Sequence, residues 1–119
     1  MGALESKHGS SSGEAAIKAL VANSTPIVVF SSSSCGYCTQ AVRLLKDSGY
    51  SSQLTVINAT SGQRFALKSL TGISSVPSIW LRGIYVGGLN DGARPWHGLI
   101  PLIRSGDFQK ILDGQNPYL

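Results

Sequence analysis

The spacing of apolar residues changes several times along the chain, and each change marks an element. Residues 14–22 carry Ile17, Leu20 and Val21 at helical spacing among good helix formers, which predicts an amphipathic helix. Ile27-Val28-Val29-Phe30 is an unbroken apolar run rich in β-branched residues, and it reads as a buried strand over 27–31. Helical spacing returns with Ala41, Val42, Leu44 and Leu45. It predicts a helix over 38–48, ended by Gly49. A second strand follows over 54–58, then a helix over 62–70 that Thr71-Gly72 stops. Residues 78–81 and 84–86 form two short strands, and Arg82-Gly83 between them reads as a tight hairpin turn. The C-terminal segment is helical in pieces, most clearly over 107–112, and no internal repeat is visible.

This order of elements restricts the topology. A helix between the first two strands makes their pairing parallel. The hairpin then adds two antiparallel strands. The predicted fold is α/β, a four-stranded mixed sheet with helices on both faces. A chain of 119 residues is one domain. Residues 1–13 are rich in Ser and Gly and lack periodicity, so a disordered tail is expected there and the folded domain over 14–119. The first six residues also fit the short N-myristoylation pattern, with Gly2 as acceptor. That pattern is permissive and one acyl chain anchors weakly. No apolar run approaches the roughly 20 residues of a membrane span.

The net charge is +4 and the pI 9.3, which raises the question of nucleic acid. The ten Lys and Arg residues are scattered singly, without a basic run or an aromatic-interleaved stripe. Nucleic-acid binding is therefore not expected, and the surface suits anionic small substrates instead. There are only two cysteines, three positions apart. A crosslink that short closes no useful stabilising loop, and a secreted scaffold uses more of them. A reducing intracellular compartment, the cytoplasm, fits that usage.

Those two cysteines form Cys35-Gly36-Tyr37-Cys38, where the first strand hands over to a helix. Free backbone N–H groups and the positive end of the helix dipole favour an anion at such a place. A thiolate is such an anion, and the thiolate is the reactive form of cysteine. The motif thus predicts a redox-active dithiol. The alternative is a structural or zinc-binding pair. One Cys-x-x-Cys supplies two of the four ligands a structural zinc needs, and His8 and His97 stand at no metal-ligand spacing.

Three motifs in this order resemble the glutaredoxin family: strand–Cys-x-x-Cys–helix, Ser75-Val76-Pro77 before the third strand, and Gly87-Gly88 after the fourth. The resemblance covers about residues 14–112. It implies a thioredoxin fold and a glutathione-dependent thiol–disulfide oxidoreductase acting on protein–glutathione mixed disulfides and protein disulfides. In it Cys35 is the nucleophile and Cys38 the resolving thiol. It further implies a cis Val76–Pro77 bond whose Val76 backbone pairs with glutathione like a short strand. Tyr37 lies beside the bound tripeptide, and Arg64 faces its glycine carboxylate. Gly88 lets the chain approach its γ-glutamyl end closely, and backbone N–H groups after it, at Leu89 and Asn90, hold the carboxylate there.

The chain departs from the family pattern in four places. Gly36 stands where Pro is more usual, and in some members a small residue there accompanies a [2Fe–2S] cluster shared by two protomers. A cluster-bridged homodimer is therefore the alternative to a monomeric reductase. Asn90 replaces an Asp that would meet the ammonium, with Asp91 next to it. The usual Lys before the active-site cysteines is missing from Ser31-Ser32-Ser33-Ser34. Residues 91–97 lengthen the segment after Gly88 by about seven residues, a length at which loops are often functional. Trp96 and His97 within it either shape the rim of the glutathione site or cover a gap in the core. A thioredoxin-like reductase fits less well, since thioredoxins usually have Trp and Pro where Ser34 and Tyr37 stand.

Overall fold

The sheet is organised by β1 (Ile27–Ser31), whose residues 27–30 are all buried. Successive side chains of a strand point to opposite faces, so this run feeds two cores. Ile27 and Val29 pack with Ala41, Leu45, Leu99, Leu102 and Phe108 on one face. Val28 and Phe30 pack with Ile17, Val21, Ala66 and Leu67 on the other. Full burial of each such side chain contributes about 1.5–3 kcal/mol. This is why an unbroken apolar run, and not an alternating one, occupies the centre of the sheet.

The structure is a computed structural model that describes residues 9–119, with side chains described from residue 13. The other elements are α1 (Gly9–Asn23), α2 (Gly36–Asp47), a 3-10 turn (Ser51–Gln53), β2 (Leu54–Asn58), α3 (Ser61–Thr71), β3 (Ser78–Leu81), β4 (Ile84–Gly87), α4 (Leu99–Ser105) and α5 (Asp107–Leu112). Strand order is β2-β1-β3-β4. β1 pairs with β2 in parallel, and the β1–β3 and β3–β4 pairs are antiparallel. The mixed sheet and its coverage on both faces agree with the sequence expectation. Among the described residues no helix is long and apolar enough to cross a membrane.

Two boundaries are corrected. The first helix begins at Gly9, so residues 9–13 are not the disordered tail expected from their composition. At Gly13 a Cβ would lie 3.1 Å from the Cβ of Ala66. The small residue lets α1 pack closely on α3, and that tertiary contact outweighs the poor helix propensity of Gly and Ser. The rest of the expected tail, including Gly2, lies outside the described residues. The second correction is that α2 begins at Gly36 and not at Cys38, with consequences for the site.

Turn chemistry fixes the remaining register. Thr60 and Gln63 form a reciprocal capping box at the start of α3, which satisfies two N–H groups otherwise left without partners. Arg82 and Gly83 both have positive φ, 51° and 82°, the twist that a two-residue hairpin requires. A register shift between Ile79 and Trp80 sets Gly87 opposite Ile79. Such a bulge bends the strand and re-aims the residues beyond it. Here it directs Gly87-Gly88 toward the loop before β3.

Candidate active site

Cys35 is the N-cap of α2, with extended backbone (φ −98°, ψ 110°). Its Sγ accepts the N–H of Cys38 at 3.1 Å. N-cap positions usually carry Ser, Thr, Asp or Asn because a side-chain oxygen accepts this bond. Here sulfur has that place, so the half-exposed thiol sits on the helix axis at its positive end. On its other side the thiol donates to the Val76 carbonyl across 3.6 Å. The Val76–Pro77 bond is cis, as the resemblance implies.

Cys38 is 1% exposed and lies behind Cys35. Burial, then its hydrogen bond with Cys35, pushes its thiol above the ordinary value, while donors at Ser31 and Ser32 oppose that shift. Both cysteines are free. The two thiols thus differ in access. The Ser31 hydroxyl and the Ser32 backbone escape sequence reasoning, because a serine run carries no signal for which hydroxyl or which backbone group turns inward.

Gly88 joins the same locus. A Cβ on it would lie 3.2 Å from the Pro77 carbonyl oxygen, so the β4 exit runs directly against the cis-proline loop. Its N–H donates to the Asp91 carbonyl at 2.7 Å, which commits that donor inside the protein. Leu89 is buried in the core and offers the site only its backbone. Asn90 and Asp91 are exposed. Tyr37, two residues after Cys35, is 60% exposed. Arg64, half-buried on α3, donates from Nε to the Ser74 carbonyl at 3.3 Å. That bond ties the guanidinium to the loop leading into Val76–Pro77.

Two residues of the long loop divide the roles expected of it. Trp96 stacks on Tyr118 (ring centroids 4.5 Å, planes at 2°) and packs on the core, so it covers the core instead of lining the site. His97 is buried, and its Nδ1 accepts from the N–H groups of Ala93 and Arg94 at 3.0 and 3.1 Å. Among the described residues there is no cluster of three or more His, Cys, Asp or Glu that would hold a metal ion.

Comparisons with known proteins agree with this architecture. The family model described as Glutaredoxin matches residues 27–86. Chloroplastic glutaredoxin-C4 of Oryza sativa is 35% identical over 91 residues, which are 72% of this chain and 68% of the rice protein. The solution structure of reduced glutaredoxin C1 from Populus tremula x tremuloides superposes with a TM-score of 0.75 at 25% identity, covering 92% of this chain and 89% of that one. A buckwheat glutaredoxin–glutathione complex shares the fold, with a TM-score of 0.60 at 23% identity over 91% of this chain and 86% of that one. Against mitochondrial glutaredoxin-2 of Pongo abelii the identity is 35% over 71 residues, which are 57% of this chain and only 44% of that relative. The dithiol at the start of α2, the cis-proline loop, the Gly-Gly turn and these matches lead to one conclusion: the chain belongs to the glutaredoxin family, a family of thiol–disulfide oxidoreductases.

Proposed function

We propose that this chain is a dithiol glutaredoxin that reduces glutathione mixed disulfides and protein disulfides. The observation that carries the reading is Cys35 as the sulfur N-cap of α2, half-exposed, with Cys38 buried behind it. The Cys35 thiolate attacks the glutathionyl sulfur of a mixed disulfide. The S–S bond breaks, the other thiol leaves and takes a proton, and Cys35 carries glutathione. The thiolate of a second glutathione then attacks that glutathionyl sulfur, which forms glutathione disulfide and returns the Cys35 thiolate. With a protein disulfide, Cys35 forms a mixed disulfide to one protein sulfur. Cys38 loses its proton and attacks Cys35, the second protein thiol departs, and two glutathiones reduce the resulting intramolecular disulfide. Glutathione-dependent turnover of a glutathionylated peptide tests the assignment, and no turnover with glutathione as reductant would refute it.

The glutathione contacts belong to the same proposal: Tyr37, Arg64, the backbones of Val76 and Pro77, and those of Leu89 and Asn90, with Gly88, whose N–H is held by the Asp91 carbonyl, permitting the close approach. A related buckwheat protein was solved with glutathione, which supports the ligand class. Arg64 combines a hold on Ser74 with charge for the glycine carboxylate. Arg64→Ala is predicted to raise the KM for glutathione by about tenfold with kcat little changed, close to the lower end of the roughly 1.5–3 kcal/mol of a charge-assisted bond. A KM unchanged at low salt would assign Arg64 to the loop alone. The reducing compartment proposed from the cysteine usage stands beside relatives named for mitochondria and chloroplasts.

A second reading is the cluster-bridged homodimer. What favours it is the open mouth around Cys35: a Cβ on Gly36 would meet nothing within 4 Å, and Tyr37 is exposed. One protomer offers one accessible thiolate, so two protomers and two glutathiones would complete the four ligands of a [2Fe–2S] centre. Anaerobic reconstitution with iron, sulfide and glutathione is predicted to give a coloured dimer that Cys35→Ser abolishes. A colourless monomer would exclude this reading and leave the reductase intact.

A further inference from the structure

The loop that distinguishes this chain is built around one side chain. His97 is 6% exposed. Its ring is edge-on to Tyr85 at 5.1 Å and to Trp96 at 4.4 Å. Two glycines close around it, and a third packs against the start of the loop. A Cβ on Gly92 would lie 2.7 Å from His97 Nδ1, and one on Gly87 would lie 2.9 Å from His97 Cβ. On Gly98 it would meet the Asn90 carbonyl oxygen at 2.5 Å. Nδ1 accepts two backbone N–H groups, so it carries no proton, and in the neutral ring the proton is on Nε2. From this loop the Asp91 carbonyl reaches Gly88 N–H, and Gly88 in turn abuts the Pro77 carbonyl. Hydrogen bonds and close packing thus run without a break from His97 to the cis-proline loop at Cys35.

We propose that His97 is a positioning residue for the glutathione site: by accepting from Ala93 and Arg94 through Nδ1 it fixes residues 91–97, and through Asp91 it holds the Gly88–Asn90 backbone that meets the γ-glutamyl end. The proposal rests on the glutathione-binding role proposed for that backbone. A protonated ring would aim an N–H at two N–H groups, and both bonds would be lost. The groups facing His97 do not favour that proton. Arg94 lies beside it on its own loop, Tyr85 faces it from β4 with Asp91 acting on that phenol, and Lys18 of α1 lines the adjoining cavity. Burial first, and Arg94 second, hold the imidazole below its ordinary value of about 6.5. A base whose folded value is depressed leaves stability intact above about pH 6.5, and stability is lost as the pH falls through the folded value.

The test compares wild type with His97→Asn, whose side-chain oxygen is an acceptor near the Nδ1 position, and His97→Leu, which has none. Wild type should show a glutathione KM that rises as the pH falls below about 6.5. His97→Asn should keep the wild-type KM at pH 8 and flatten that rise. His97→Leu should raise KM by about fivefold to tenfold at pH 8 with kcat within twofold. NMR supplies an arm independent of turnover. The His97 ring should be the Nε2–H tautomer, and the Gly88 and Asp91 amide shifts should titrate with His97 in wild type but not in His97→Asn. If wild type has no glutathione activity, the proposed function fails while the amide arm still decides the positioning role. If His97→Leu does not fold, the Asn pH profile and the tautomer decide. An Nδ1–H tautomer overturns the proposal, as does a folded His97→Leu with unchanged KM and unchanged Gly88 and Asp91 shifts.

Discussion

Cys35→Ser is predicted to reduce turnover of every disulfide substrate to the rate of glutathione alone, whereas Cys38→Ser removes only the reduction of intramolecular protein disulfides. The asymmetry arises from position. Cys35 is half-exposed at the α2 N-terminus, with the Cys38 N–H on its sulfur. A hydroxyl there keeps the cap but is a far poorer nucleophile toward a disulfide than sulfur is. Cys38 is 1% exposed, and burial pushes its thiol up, so it meets a disulfide only when the disulfide is on Cys35. Mixed-disulfide turnover never requires it. Steady-state assays on a glutathionylated peptide and on a protein with one internal disulfide separate the two routes. Equal loss of both activities in Cys38→Ser, or activity surviving in Cys35→Ser, would reverse the assignment.

The same pair shows what the sequence can and cannot disclose. The strand before it is legible because Ile27 to Phe30 must fill two cores, and an unbroken apolar run is the only pattern that does so. The parallel and antiparallel pairings come from chain connectivity. The start of α2 is displaced by two residues, since Gly36 and Tyr37 contribute nothing to its apolar stripe and a cysteine is not an ordinary N-cap. The helical turns over 9–13 are hidden for a different reason. They depend on Gly13 meeting Ala66 of α3, a contact between segments far apart in the chain. His97 stands out in the long loop, but its Nδ1 partners are backbone groups of Ala93 and Arg94, and backbone direction in a loop has no periodicity to read. Three glycines at 87, 92 and 98 are the available signal. Arg64 toward Ser74 is likewise a matter of loop course, which side-chain type alone does not determine.

Gly87→Ala is predicted to be strongly destabilising, by about 3 kcal/mol, the sum of a strained backbone and overpacking at about 1–3 kcal/mol each. Gly87 has φ +103°, a region that L side chains rarely adopt. Its Cβ would stand 2.7 Å from the Asp91 carbonyl oxygen, 2.9 Å from His97 Cβ and 3.0 Å from Gly98 N. Two of those three are backbone atoms of the loop that carries His97, so relief requires the loop itself to move. Gly98 N–H donates to Val86 and Leu99 N–H to Gly88. Moving the loop therefore also disturbs the join between β4 and α4. Gly36→Ala is the matched control: its Cβ meets nothing within 4 Å and the residue is already helical, so stability should hold or rise by up to about 1 kcal/mol. Urea denaturation of the two variants gives both numbers, and the glutathione KM of Gly87→Ala below its melting temperature should rise with the displaced Gly88 backbone. A Gly87→Ala protein within about 0.5 kcal/mol of wild type would mean that the loop yields easily. The close packing around His97 would then lose its claim to hold the site in place.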